Sequence, residues 1–489
     1  MSSAITAPLS KTGLPSVPMD LACMLVFVGA LLLNFLAADG HDKQRCIELV
    51  VLLFCAGAFA LRNRDTLIVS PDRPARLLLL GFFAFGLVSA ILAWSPRHAF
   101  YEWSSMLLLM ILVFVIADIT AKTGAVGMLR IVQLVGVACL LYSLRLLLMY
   151  AAALANGFKP DVIYDLAIGF SNVRFFNHTQ TALLPLLVLL FLQAPVGRLP
   201  RAAWFVLAAF WWSLLYVMQA RASVLALGAG CSASFLLCRE QARGFLKAMT
   251  LTALAGIVVY ALAFVLLPML AGLPPFGTVS SVIERTAADP TSSRTLLWTR
   301  ALELIAAHPW LGVGPLHFAH HSADLGNAAH PHDWILQIAA EWGVPALLCA
   351  FGLLGLGARV LLRSAGRIAS TDLRNQQLLA LFVTTGVAIV VDGLFSGVLV
   401  MPQSRLAIAL VAGCAVGWVR LLEGAKAPAR VAMPLRIGIS ALVMAGACVL
   451  VYAIAPDFAA HARGEPPEAT GQRVSTGVHW PRMWADGFF

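Results

Sequence analysis

Uninterrupted apolar runs decide the architecture of this chain before any motif is considered. Leu77–Trp94, Ser105–Ile116 and Ile437–Ile454 are of the order needed to cross a bilayer, about 20 residues with tilt. Only helices and closed barrels satisfy their backbone hydrogen bonds in lipid, and a barrel would show short alternating strands instead of continuous greasy stretches. Charged residues make up 12% of the chain, against roughly 25% in soluble domains, which excludes an ordinary cytosolic enzyme. The expected fold is all-α: a polytopic integral membrane bundle of about 12–13 spans, with one long hydrophilic loop containing short helices.

Spans are expected near 19–38, 45–61, 75–94, 103–120, 125–152, 179–195, 202–220, 222–238, 246–271, 332–362, 374–400, 402–421 and 433–456. Basic residues in short loops set orientation. Arg62, Arg64, Arg73, Arg76, Lys122, Arg130, Arg198 and Arg201 fall on one side, with Arg239, Arg243, Lys247, Arg359, Arg363, Arg367, Arg374, Arg420, Lys426, Arg430 and Arg436. That side reads as cytoplasmic. The other carries 150–178, the Gln219-Ala-Arg221 turn, 272–331 and 401–405, and with thirteen spans also the tail from Pro456. The organisation is therefore 1–271 N-terminal transmembrane helices, 272–331 a loop domain with an amphipathic helix, 332–456 C-terminal transmembrane helices, and 457–489 an interfacial tail without assigned chemistry. The net charge of +10 is spread over short loops, so nucleic acid is not an expected partner. The nine cysteines fall almost entirely in apolar runs and form no CxxC pair, which leaves zinc and redox readings without footing.

Polar chemistry is concentrated between Ser292 and Pro345. Ionisable groups at a membrane mouth are functional candidates because their desolvation is costly. Arg221 stands in a tight turn between two apolar runs; it is either a carbonyl-bound structural arginine or a phosphate ligand whose planar fork suits a bidentate contact. Arg294 opens an amphipathic helix with Leu297, Ala301, Leu304, Ile305 and Pro309 marking its apolar face. Ser292 or Ser293 can cap that helix, and its positive end then favours an anion. Arg174, in Asn172-Val-Arg-Phe-Phe-Asn177-His178, lies on the same side.

Six of the eleven histidines lie between His308 and His332. His317, His320 and His321 could share a helical face, but there is no HExxH motif and Asp324 and Asp333 lack ligand spacing, so no metal is expected. His332 follows Pro331 at the start of a long apolar helix. It either caps that helix or accepts a proton from a sugar hydroxyl near neutral pH; His330 offers the same chemistry from a less favoured position. Asp392, deep in an apolar run, either pairs structurally with a basic residue such as Arg405 or Arg145 or orients a catalytic group. Glu341 can likewise be a packing or supporting acid.

The string Arg294…Trp298…Ala301-Leu302…His308-Pro-Trp-Leu-Gly-Val-Gly314…Phe318…His330-Pro-His332-Asp…Leu336-Gln337…Glu341-Trp-Gly343 resembles the signature of the O-antigen ligase/polymerase superfamily of bacterial membrane glycosyltransferases. The Arg-x-x-x-Leu element Arg221–Leu225 and the spacing His332-Asp333 to Gly343 resemble its ligase branch. The family favours Asn, Ser or Gln after that histidine, and Val344-Pro345-Ala346 stands where Gly-Thr-Thr usually follows; these departures blur the division among ligase, polymerase and protein-glycosylating relatives. The resemblance implies a metal-independent, inverting glycosyltransferase without cofactor, in the inner membrane of a Gram-negative bacterium, with its active site facing the periplasm. It implies a polysaccharide on undecaprenyl pyrophosphate as donor, a sugar hydroxyl of lipid A–core oligosaccharide as acceptor, and membrane lipid as surroundings. By the same resemblance His332 activates the acceptor, and Arg221, Arg294 and Arg174 hold the pyrophosphate. An O-antigen polymerase or a protein O-oligosaccharyltransferase is the nearest alternative. A transporter of lipid-linked glycan is the alternative of another class, and the lack of an internal repeat between the two halves counts against it.

Overall fold

The computed structural model describes residues 16–37, 40–61, 66–67, 71–158, 166–197, 199–276, 287, 294–325, 329–424, 429–430, 433–462, 482–484, 487 and 489. Arg62, Arg64, Arg198, Lys426, Ser292 and Ser293, all used in the sequence reading, lie outside the described residues.

The apolar runs are helices. In chain order they are α1 (Ser16–Leu36), α2 (His41–Leu61), α3 (Arg73–Leu92), α4 (Pro96–Ala155), α5 (Val173–Gln193), α6 (Leu199–Val217), α7 (Arg221–Cys238) and α8 (Arg243–Tyr260). The last continues through a π-helical turn, Ala261–Leu266, into α9 (Leu267–Leu270). Then come α10 (Arg294–Ala307), α11 (Phe318–His321), α12 (Trp334–Trp342), α13 (Val344–Ala365), α14 (Leu373–Asp392), α15 (Pro402–Leu422) and α16 (Met433–Ala462). Proline stands in the first turn of α3, α4, α13 and α15, where its missing N–H leaves no bond unmade.

Among the described residues nine stretches are long and apolar enough to cross a membrane. Two of them hold two helices each. Residues 96–155 break at Gly124, with φ +70° and ψ −172°, backbone angles that suit glycine alone; this is the expected division between 103–120 and 125–152. Residues 221–270 divide into α7 and α8 at the turn Arg239–Ala242. The polytopic helical bundle is thus the fold the apolar runs predict. Two expected spans are corrected. The run 332–362 is two helices, α12 and α13, parted at Gly343 (φ +88°), and the run 374–400 stops being helical at Asp392.

Contacts sort the connections into two faces. On one, Gln241 meets the Ala365 carbonyl, Arg367 and Arg420 meet Glu423, Arg420 meets Asp72, and Gln193 meets Gln377. Thr66–Leu67 pairs antiparallel with Ala429–Arg430 on this basic face. The other, here the site face, gathers the Ser95 amide on His317, Arg97 on Asp457, Arg174 on the Gln219 carbonyl, and the Trp334 amide on the Gly393 carbonyl. Arg367, Arg420 and Arg430 thus lie on the face opposite Arg174 and the turn before Trp334.

α5 is enclosed along almost its whole length, whereas α3, α7, α8 and α13 expose Leu80, Val88, Phe235, Leu236, Leu254, Val258 and Leu348. An apolar exterior of this kind is a lipid-facing one, since only lipid welcomes it. Within the bundle, near the site face, α2, α4 and α15 meet through buried charges. Arg45 Nη1 lies 2.5 Å from Glu48 Oε2, Arg405 Nε lies 3.0 Å from Glu48 Oε1, and Arg405 Nη1 lies 3.6 Å from Glu102 Oε2. The Arg405–Glu48 approach is an ion pair without hydrogen-bond alignment; Arg405 Nη2 instead donates to Ser105 Oγ at 3.0 Å. Such pairs add little over apolar packing, but removing one partner strands the other, at about 3–5 kcal/mol. Glu48→Ala leaves Arg45 and Arg405 facing each other. It is expected to lower the thermal unfolding midpoint of the purified protein sharply, while the surface change Glu240→Ala, at an exposed pair with Arg243, leaves it in place.

Candidate functional site

The two motif strings of the long polar segment are halves of one interlock. The loop after α10 lies along the end of α12: Val313 N donates to the Ala340 carbonyl at 2.8 Å, Gly314 N to that of Glu341 at 3.0 Å, and Val344 N to that of Pro309 at 2.9 Å. A Cβ on Gly312 would come within 2.5 Å of the Glu341 carbonyl carbon, and one on Gly343 within 2.3 Å of the Trp310 oxygen. Both glycines also have positive φ, so close approach and backbone conformation make the same demand. α10 packs Leu297, Ala301 and Leu304 against Ala340 and Phe318, the apolar face its periodicity predicts.

This interlock frames the turn that carries His332. Trp298 Nε1 of α10 donates to the Pro331 carbonyl at 3.1 Å, and Trp334 is held by N–H bonds from its backbone to Gly393 O (3.0 Å) and from its indole to Val390 O (3.2 Å). The helix cap is Asp333, whose Oδ1 accepts from Ile335 N and Leu336 N at 2.8 and 3.0 Å. His332 is therefore not the cap, and the helix it precedes is the short α12. It takes φ +56°, a left-handed conformation that surrounding structure must enforce and that clusters at functional sites. Its amide donates to His330 Nδ1 at 3.3 Å, which assigns the His330 proton to Nε2, and the two rings lie 4.1 Å apart. Burial, then the Arg294 charge, pushes His332 down to about 3. Burial, with the His332 ring close by, holds His330 well below the usual range. Both rings are neutral at physiological pH, and neutral imidazole is the form that accepts a proton.

The guanidiniums arrive from three elements. Gln219, itself at φ +54°, accepts Arg174 Nη1 and the Arg221 amide on one carbonyl, each at 2.9 Å, which joins the start of α5 to that of α7. Arg294, at the start of α10, acts electrostatically on His332, His330, His178 and Asp392. Ser292 and Ser293 being outside the described residues, the expected cap of α10 is not part of this geometry. Asp392 is buried at the end of α14, where its Oδ2 accepts from Thr181 at 2.5 Å and Ser223 at 3.2 Å. It pairs with neither expected arginine: Arg405 is on Glu48 and Glu102, and Arg145 donates to the Phe35 carbonyl. Asp392 instead ties α5 and α7 to α14 beneath the arginines.

Sequence reading missed His178. It lies one helical turn beyond Arg174, buried, with Nδ1 lacking a partner among the described residues and with His332, Arg174 and Arg294 as electrostatic neighbours. Only its position in Asn172–His178 could have flagged it. Glu341 belongs elsewhere. Burial raises its pKa, and it accepts Arg482 Nη2 at 2.7 Å and Phe318 N at 3.0 Å, so it braces the interlock and does not touch His332. His317 and His320 are engaged too: His317 Nε2 accepts Ser95 N at 2.9 Å, and His320 stacks on Trp94 at 4.0 Å. Among the described residues no cluster of three or more His, Cys, Asp or Glu is placed to hold a metal ion.

The class these features define is a polytopic helical membrane protein with arginines and neutral histidines gathered on one face. Residues 203–351 match the family described as O-antigen ligase, which supports a kinship with that superfamily over this stretch of the chain. The matched stretch holds Arg221, Arg294, His330, His332 and Glu341 and stops short of Asp392; Arg174 and His178 precede it. A search of curated proteins finds no match. The interlock predicts that Gly343→Ala, forced against Trp310 at positive φ, lowers stability by about 1–3 kcal/mol and exposes 308–314 to proteolysis; Gly355→Ala, in open space on α13, leaves both unchanged.

Proposed function

We propose that this protein is an O-antigen ligase. It transfers O-antigen polysaccharide from undecaprenyl pyrophosphate to a sugar hydroxyl of lipid A–core oligosaccharide, at the periplasmic face of the inner membrane. The observation that carries this reading is the His332 imidazole: neutral, strained into a left-handed turn, without a hydrogen bond to its ring from any described residue, and within reach of the Arg294 charge.

Pyrophosphate is already a good leaving group, so the site must neutralise and align charge more than assist bond breaking. Arg294, with Arg221 and Arg174 from the shared Gln219 turn, binds the diphosphate; guanidinium forks suit its oxygens, and low dielectric strengthens each contact. The acceptor hydroxyl attacks the anomeric carbon opposite the phosphate. The new O–C1 bond forms as the C1–O(phosphate) bond breaks, inverting the centre, and the hydroxyl proton passes to His332. Both substrates are lipid-anchored, which confines their encounter to the membrane plane. His332 gains basicity when it is needed: burial and then the Arg294 charge depress its pKa, and a bound diphosphate offsets the second of these.

Purified protein with lipid-linked glycan and lipid A–core, in chelator, tests the reading. Wild type is expected to place polysaccharide on lipid A–core. His332→Ala is expected to lose about 10²–10⁴-fold in kcat while still binding donor. Because donor raises the His332 pKa, the acid limb of kcat should lie at higher pH than that of kcat/KM, which reports the donor-free enzyme. Lengthening of the polyprenyl-linked chain would assign a polymerase, glycan on protein Ser or Thr an oligosaccharyltransferase, and full tolerance of His332→Ala a transporter.

A further inference from the structure

Arg482, Met483 and Phe489, in the tail to which the sequence assigns no chemistry, are built into the site face. Arg482 is 2% exposed. Its Nη2 donates to Glu341 Oε2 at 2.7 Å and its Nη1 to the Ala329 carbonyl at 3.2 Å. The carbonyls of Arg482 and Met483 accept from the Arg45 guanidinium at 2.7 and 3.2 Å, and the same guanidinium holds the Val400 carbonyl at 2.8 Å. Farther along, the Phe489 ring stacks 4.1 Å from His98, and its carbonyl oxygen accepts from His320 Nδ1 at 2.8 Å.

From Arg482 the contacts run to the candidate base without a break. Ala329 precedes His330, and His330 Nδ1 accepts the His332 amide. The two carbonyls flanking His330 are thereby both held, Ala329 by Arg482 and Pro331 by Trp298. A buried arginine is costly unless its donors are matched, and here its fork spans the end of α12 and the start of the histidine turn. That fork fixes the distance between them. His332 at φ +56° needs such enforcement.

We infer that Arg482–Trp484, with Phe489, form a latch on the His330–His332 turn, and that Arg482 is a positioning residue for His332. The inference rests on His332 being the base. Arg482→Lys tests it in the full-length protein: the ammonium keeps the charge beside Glu341 but gives up the fork to Ala329. The expected result has three parts: the unfolding midpoint stays near wild type, amide exchange across 329–334 speeds up with α5 and α15 still protected, and kcat falls about 10–100-fold, the cost of roughly an ångström of misplacement, with donor KM unchanged. Arg482→Gln, which also abandons Glu341, should exchange faster still at 329–334. Unchanged exchange at 329–334 in both variants overturns the latch. So does a loss of activity that appears only with loss of protection throughout the bundle, because that marks a role in folding alone. If wild type transfers no glycan to any acceptor, the functional reading fails, while the exchange measurement still decides the latch.

Discussion

Three arginines and three glutamates buried near the site face are the constraint on which the rest of the structure depends. Arg45, Glu48, Glu102 and Arg405 hold α2, α4 and α15 together, and Glu341 with Arg482 extends the balance to α12 and the C-terminal segment. In a bundle whose exterior is apolar, association of helices has no hydrophobic drive comparable to that in water, and directional polar contacts fix which helices meet. Equal numbers of opposite charges let the group remain buried.

On the site face the described carboxylates are each engaged within the protein. Asp392 is occupied with the hydroxyls of Thr181 and Ser223, Asp333 with the backbone of α12, and Glu341 with Arg482. These carboxylates brace the frame. The histidines follow from the same electrostatics, since burial among positive charges keeps His330 and His332 neutral. The proposed reaction draws on this arrangement, with a dianionic leaving group and a hydroxyl nucleophile.

Much of this was legible in the residues because it is local. Apolar run length gave the helices, loop arginines gave the two faces, and Leu297, Ala301 and Leu304 gave the buried side of α10. Arg221, Arg294 and His332 stood out as costly polar groups at helix ends. What was not legible is pairing over long sequence distance. Nothing in the string joins Asp392 to Thr181, Glu341 to Arg482, or Arg45 to the Arg482 carbonyl, which lie 211, 141 and 437 positions apart. The break at Gly343 was hidden for a related reason: α12 and α13 are both apolar, and the break shows only once Trp310 is seen against the glycine. His178 escaped because a histidine inside an apolar helix carries no periodic signal of its own.

The central claim is that the guanidiniums and the His332 imidazole serve one diphosphate sugar at one membrane face. A structure of the protein in lipid nanodiscs with undecaprenyl pyrophosphate bound tests this most directly. The account predicts diphosphate density in contact with Arg294 and the Arg174–Arg221 turn, with His332 facing the side opposite the leaving phosphate. Density seated on the basic face among Arg367, Arg374 and Arg420, or out of reach of Arg294, would contradict it.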